Sequence, residues 1–385
     1  MYLMLEDQEV LYFDFDDNLV EPIKKDLLPF SLRSAIRQST NSKDLVKTAV
    51  NNVIALKEFF SNRVLSLSRD NAKLIYTMFQ IPQSNDLETR VKICLKCCGV
   101  NLQDGYWIKN DNEKVRWSDV DIRENSLAEI LDVALYGVHP TYATDARCPE
   151  LVTKGLFRKA WTRQNGKLIL LKSDRHCENV NTKMEVLASK ILDCFSNLPH
   201  VSYIGNCVQT ADRLEYVDQC ELFGRKEHSF VEAREVKLWC EKNDLNFKEW
   251  SLACFGSKIA NIAIADFIIM NTDRHLENYG FWMNNQTGKL VDVAPIFDYN
   301  LALVADAFNK DASDTLSQMF NENESIQALA MELLPYSNLD VNYHKLNSLI
   351  DSFRGYGEIL KNVEQRLQIC GYNCGDAYNY LNKFK

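Results

Sequence analysis

Along residues 42–80, SKDLVKTAVNNVIALKEFFSNRVLSLSRDNAKLIYTMFQ, apolar side chains return every three or four positions. That spacing gathers them on one helical face, and the polar SRDN at 68–71 supplies a cap-like break before a second helix. A helical N-terminal region is therefore expected over residues 1–95. The period then changes. DGYWIK, GLFRKAWTRQ and KLILLKS are short runs bounded by turn residues, which predicts strands, and Asn165-Gly166 between the last two is a hairpin signal. NTKMEVLASKILDCF returns to helical spacing with Asn181 as its expected cap, and HVSYIGNCV and RLEYVDQCELF predict two more strands. From about Ser229 onward the spacing is helical except at NYGFWMNNQTGKLVDVAPIFD, where two strand-like runs flank a turn at 284–288. The expected fold class is α+β: a strand-rich lobe over 96–223, then a helical lobe over 224–385.

Composition narrows the function. The 385 residues are enough for a large core, and with 46% hydrophobic and 25% charged residues the chain has globular rather than disordered composition. A net charge of -9 argues against holding nucleic acid by an overall field, so no direct nucleic-acid binding is expected. The N-terminus lacks a basic segment ahead of an apolar one, and the apolar run 259–270 is interrupted by Asn261 and Asp266 and is short for a bilayer. No membrane association is expected. Twelve cysteines without a secretory signal suggest reduced thiols and a cytoplasmic location. Cys94, Cys97 and Cys98, with Cys370 and Cys374, invite a zinc reading, but VKICLKCCGV fits a helix whose thiols pack as small hydrophobes.

The chemistry concentrates at residues 271–280, NTDRHLENYG, directly behind the greasy run IANIAIADFIIM. Asp273 and Asn278 lie on one loop, and Asp298 closes the hairpin that follows. Two carboxylates and an amide oxygen are hard ligands suited to Mg2+. Phosphoryl transfer also needs an acid to accept the hydroxyl proton, and D-x-x-x-x-N is the spacing of a protein-kinase catalytic loop. FDYN at Asp298 is not the DFG of those kinases. His275 orients Asp273, contacts phosphate or simply packs; Arg274 pairs with a neighbouring acid.

A kinase-like site also needs a nucleotide side. Lys172 ends the apolar run LILLKS, and Glu185 follows on the next predicted helix, within reach to pair with it. TKGLFRKAW joins a turn to a strand and carries Gly155, Arg158 and Lys159, whose amides and cations are candidates to wrap phosphate, although one glycine fits neither G-x-G-x-x-G nor Walker A. QCELF, with Glu221 and Phe223, stands where a hinge would offer backbone groups to adenine.

With these residues assembled, NTDRHLENYGF followed by APIFDYN resembles the HipA-like serine/threonine kinases, in particular their shorter, CtkA-type members. GLFRKAW, LILLK, EVLASKIL and CELF look like that family's phosphate loop, ATP lysine, helix and hinge, and FFSNRVLSLSRDNAKLI looks like its N-terminal helical portion. The resemblance runs from about Phe59 to Asn300. It implies a bilobal protein-kinase-like fold and an ATP- and Mg2+-dependent kinase acting on serine or threonine of a protein substrate, often itself. Carried across, Asp273 is the base, with His275 beside it. Asn278 and Asp298 hold metal, Lys172 and Glu185 serve the ATP phosphates, and Gly155 and Lys159 belong to the phosphate loop. Glu221 and Phe223 form the hinge. Some members are toxins neutralised by a DNA-binding antitoxin, so an antitoxin partner is a corollary of the resemblance; TKGLFRKAW in place of G-A-Q-x-K departs from the longer members. DRHLEN also looks like the loop of phosphatidylinositol kinases, which keeps a lipid or small-molecule kinase as an alternative. A non-catalytic nucleotide-binding scaffold is another. Ser313, Thr315 and Ser317, just past Asp298, are candidate autophosphorylation sites.

Overall fold

The structure, a computed structural model, describes residues 1–37, 44–125, 134, 158–174, 179–209 and 214–372. Gly155 and Cys374 lie outside the described residues.

Three antiparallel sheets organise the described residues. The first, in the order β3-β2-β1-β4, joins β1 (Tyr2–Leu5), β2 (Gln8–Asp14) and β3 (Leu19–Pro22) to β4 (Tyr106–Lys109). The N-terminal region is thus helical only in part, and DGYWIK belongs with it rather than with the strand-rich lobe, because β4 pairs along the whole of β1. The strands escaped the reading because β1, YLML, is buried on both faces over its last three residues and shows no alternation. The helix Leu45–Ser61 lies over this sheet. Its stripe Asn52, Val53, Leu56, Phe59 and Phe60 is buried, with Phe60 5.4 Å from Phe13 and Phe59 6.3 Å from Tyr106 between ring centroids. The helix Leu87–Lys96 packs Cys94 into the same core, with Cys97 buried just beyond its end, and burial pushes the Cys94 thiol up to about 12.

The second sheet, β5-β6-β8-β7, consists of β5 (Arg158–Gln164), β6 (Lys167–Ser173), β8 (Leu214–Glu221) and β7 (Ile204–Gln209). Asn165 and Gly166 turn between β5 and β6 with φ of 49° and 80°, the paired left-handed conformation the hairpin signal calls for. The helix Val180–Leu192 packs on this sheet. Its cap is not Asn181, which is buried in the first turn; the Asp174 carboxylate accepts the Asn181 N–H at 2.7 Å and the Thr182 hydroxyl at 2.9 Å. An acid seven residues upstream satisfies the orphan amide, a distance no local capping motif spans.

The third sheet, β11-β10-β9, adds β9 (His228–Glu232) to the expected hairpin of β10 (Gly280–Asn284) and β11 (Leu290–Val293). Asn284 accepts the Gln286 and Thr287 amides at 3.0 and 2.9 Å, which closes the turn. This sheet is fastened to the N-terminal region where the Phe230 amide meets the Gln103 carbonyl at 2.8 Å and Asn285 meets Glu6 at 2.7 Å. Helices make up most of the remainder. Ser257–Ile268 is buried throughout from Ile259 onward, which explains its apolar character on every face. No single described helix is long and apolar enough to cross a membrane; Phe247–Phe255 and Ser257–Ile268 reach that length only together and are bent by 113° at their break.

Gly280 sets how closely β9 and β10 approach, since a β-carbon there would stand 2.1 Å from the Val231 carbonyl oxygen. Gly280→Ala is expected to pry this pairing apart and cost about 1–3 kcal/mol, read as a lower urea midpoint. An unchanged midpoint would show that β9 gives way freely.

Candidate active site

Antiparallel pairing of β5 with β6 sets Lys159 directly opposite Lys172, so both side chains leave the same face of the sheet. The ammonium of Lys172 donates to Glu185 Oε1 and Oε2 at 2.8 and 3.0 Å and to Asp298 Oδ1 at 2.8 Å. The Lys159 ammonium lies 3.5 Å from Asp298 Oδ2. One carboxylate from the end of the hairpin thus sits between two lysines from the second sheet, and the helix Val180–Leu192 supplies the second acid. Lys172 is 3% exposed and Glu185 fully buried, a setting in which an unpaired charge would cost several kcal/mol.

The electrostatics follow from this packing. Burial works to strip the proton from Lys172, but Asp298 and Glu185 outweigh it and hold its pKa well above the ordinary lysine value. Burial likewise works to protonate Asp298, yet Lys159 and Lys172 keep it far below the usual carboxylate range. Lys159 goes the other way: burial dominates, Asp298 offsets it only in part, Lys172 and Arg69 add to the lowering, and its pKa falls.

Asp298 is held from both sides of its backbone. Its φ is 60°, a left-handed conformation uncommon for a side chain other than Asn or Asp. Its amide donates to the Tyr203 hydroxyl at 3.2 Å, and the next amide, of Tyr299, donates to Glu185 Oε1 at 2.9 Å. The Tyr299 hydroxyl accepts the Val201 amide at 3.0 Å and lies 2.6 Å from the Ile296 carbonyl. Glu185 therefore fixes both the lysine and the chain beside its second acid.

The loop after Ser257–Ile268 is built around Arg274. This guanidinium is 2% exposed and grips both oxygens of Asp266 at 2.9 and 3.0 Å. Its remaining terminal nitrogen donates to the carbonyls of Asn278 and Phe297, each at 2.7 Å. The residue read only as half of an ion pair thereby ties the loop and the chain just before Asp298 to one helix. Asn278 folds back to donate to the Asp273 carbonyl at 3.0 Å. Asp273 is partly exposed; burial raises its pKa, His275 pulls it down, and the charge of Asp298, close enough to be felt, pushes it up again. The Glu277 amide meets His275 Nδ1 at 3.2 Å, which turns Nε2 toward Asp273, 4.0 Å from its Oδ2.

Lys159, Lys172, Glu185 and Asp298 are thus in direct contact, with Asp273 within electrostatic reach and Asn278 bound to its backbone. The hinge residues stand differently. The Glu221 side chain is exposed and pairs with Lys167 at 2.7 Å. Phe223 packs 5.0 Å from Phe297, between ring centroids, and so touches the residue before Asp298. Two participants went unread. Tyr203 carries no sequence signal. Asp218 does: it is an acid inside the alternation LEYVDQCE, it stands opposite Lys172, and it is fully buried, with the Glu185 carboxyl as its side-chain hydrogen-bond partner. Burial and the charge of Glu185 raise its pKa well above the carboxylate range, against the pull of Lys172.

No family model matches the chain, and no curated protein matches it. Among solved structures it is similar to the Helicobacter pylori proinflammatory kinase CtkA, at 15% identity and a TM-score of 0.39 over 59% of this chain and 94% of that one. A likeness that distant leaves the functional reading to the geometry of the site.

Asp218 makes a pH-dependent contribution whose sign is defined. Its raised pKa means that the folded state keeps a proton which the unfolded chain releases above about pH 4, so its contribution is full below that pH and is lost as pH rises toward the folded pKa. Asp218→Asn has no such proton to lose. The stability of the variant relative to wild type should therefore grow as pH rises above about 5 in urea titrations. A difference independent of pH would contradict the assignment.

Proposed function

We propose that this chain is an ATP- and Mg2+-dependent protein serine/threonine kinase of HipA-like type that also phosphorylates itself. The observation that carries the reading is the buried contact set in which Glu185 and Asp298 share the Lys172 ammonium while Lys159 approaches Asp298 from the facing strand. Two buried lysines on one sheet face are a costly arrangement that an anionic ligand with several charges would use.

The residues fit the cation as well. Asp298 is held ionised, and its oxygens with the Asn278 amide oxygen would supply the hard donors that Mg2+ prefers. Bound there, the metal would neutralise charge on the phosphates. Lys172, oriented by Glu185, and Lys159 would hold those phosphates. Asp273 would take the proton of the acceptor hydroxyl, a role its raised pKa suits, and His275 Nε2 would steer its carboxylate. Arg274 keeps Asp273 and Asp298 in fixed relation. The stretch after Asp298 that carries Ser313, Thr315 and Ser317 is joined to the loop by the Gln318 side chain, which donates to the Thr272 carbonyl at 3.0 Å, so a self-acceptor in that stretch is consistent with the geometry.

Incubation with γ-labelled ATP and Mg2+ tests the proposal. Label is expected on the protein itself and on a generic protein acceptor. Asp273→Ala should cut transfer about 10²- to 10⁴-fold while leaving nucleotide binding near wild type. Undiminished transfer by Asp273→Ala would refute the assigned base, ATP binding without transfer would identify a scaffold, and label on lipid alone would identify a lipid kinase.

A further inference from the structure

The SRDN stretch at 68–71 does more than separate two helices. Arg69 is 3% exposed, and its guanidinium donates to the backbone carbonyl of Lys159, 90 residues further along the chain. Beside it, the Asp70 carboxylate lies 3.8 Å from the Arg158 guanidinium. Two consecutive residues of the N-terminal region thus meet the first two residues of β5.

The strand they meet is at the edge of its sheet, bonded to β6 on one side and without a further strand partner among the described residues. An edge strand keeps its aim only if something holds its outer side. The platform beneath Arg69 is well fastened. Arg90 donates to the Ser61 carbonyl at 2.6 and 3.0 Å and to the Val64 carbonyl at 2.8 Å, and Asn85 accepts the Leu67 amide at 3.2 Å. Asn71, with φ of 65°, then turns the chain into the helix Ala72–Met78, which anchors Ala72, Ile75 and Tyr76 in the core. Nothing in a cap-like break calls for a buried arginine there.

We propose that Arg69 is a positioning residue: by holding the Lys159 carbonyl it fixes the edge of β5 and aims the Lys159 side chain at Asp298, so that the N-terminal region sets the geometry of the phosphate-binding cleft. The consequence for nucleotide affinity rests on the proposed function; the consequence for Lys159 itself does not.

The test uses the full chain as wild type, Arg69→Ala and Arg69→Lys, with thermal melts to establish that each is folded. Lysines are acylated with an amine-reactive reagent and mapped by mass spectrometry, and ATP affinity is measured by calorimetry. Arg69→Ala is expected to speed modification of Lys159 several-fold with little change at Lys172 and to weaken ATP about tenfold, the scale of one lost charge-assisted hydrogen bond. Arg69→Lys, which keeps a donor, should fall between, and carries the test alone if the alanine variant does not fold. Lys159 labelling unchanged in a folded variant overturns the proposal. Should wild type bind no ATP while Arg69→Ala still exposes Lys159, the nucleotide reading fails and the positioning role stands.

Discussion

The structure hinges on ionised groups taken out of water together. Lys172 comes from a strand, Glu185 from a helix and Asp298 from the end of a hairpin, and they meet within 2.8 Å where little water reaches. Removing one partner from such a set leaves the others uncompensated, at a cost of about 3–5 kcal/mol. The cluster is therefore a joint as well as a candidate site. Its geometry brings the second sheet against the chain that follows the third, and the Phe223–Phe297 contact joins the same two parts a few residues away.

Arg274 and Glu185 play parallel roles. Each is a buried charge that satisfies a side chain and the backbone of another segment: Arg274 binds Asp266 and two carbonyls, Glu185 binds Lys172 and the Tyr299 amide. A charged group that serves backbone polar groups in the interior resists being replaced by an apolar one, since those groups would lose their partners. The acids and bases expected to do chemistry are thereby left at the ends of rigid supports, with Asp273 and His275 the more exposed members.

Much of this was legible in the sequence, and the parts that were not share a cause. The β5–β6 and β10–β11 hairpins, the Lys172–Glu185 pair and the loop from Asp273 to Asn278 are written in short-range patterns: a turn dipeptide, a lone lysine closing an apolar run, a fixed spacing. What escaped depends on contacts across many residues. The first sheet joins β1 to β4 across about a hundred residues, Asp174 caps a helix from outside any motif, and Arg69 reaches Lys159 across 90 residues of chain. Arg274 was visible but undervalued, because spacing shows that an acid lies nearby and not that two carbonyls do. Asp218 carried a signal, an acid at an inward position of a buried strand, that was passed over.

A crystal structure with a non-hydrolysable ATP analogue and Mn2+ tests the central claim most directly. The account predicts an anomalous manganese peak between Asn278 and Asp298, with the analogue's phosphates contacting Lys172 and Lys159. A metal bound elsewhere, or an analogue that leaves both lysines on Asp298 and lies outside the cleft, would contradict it.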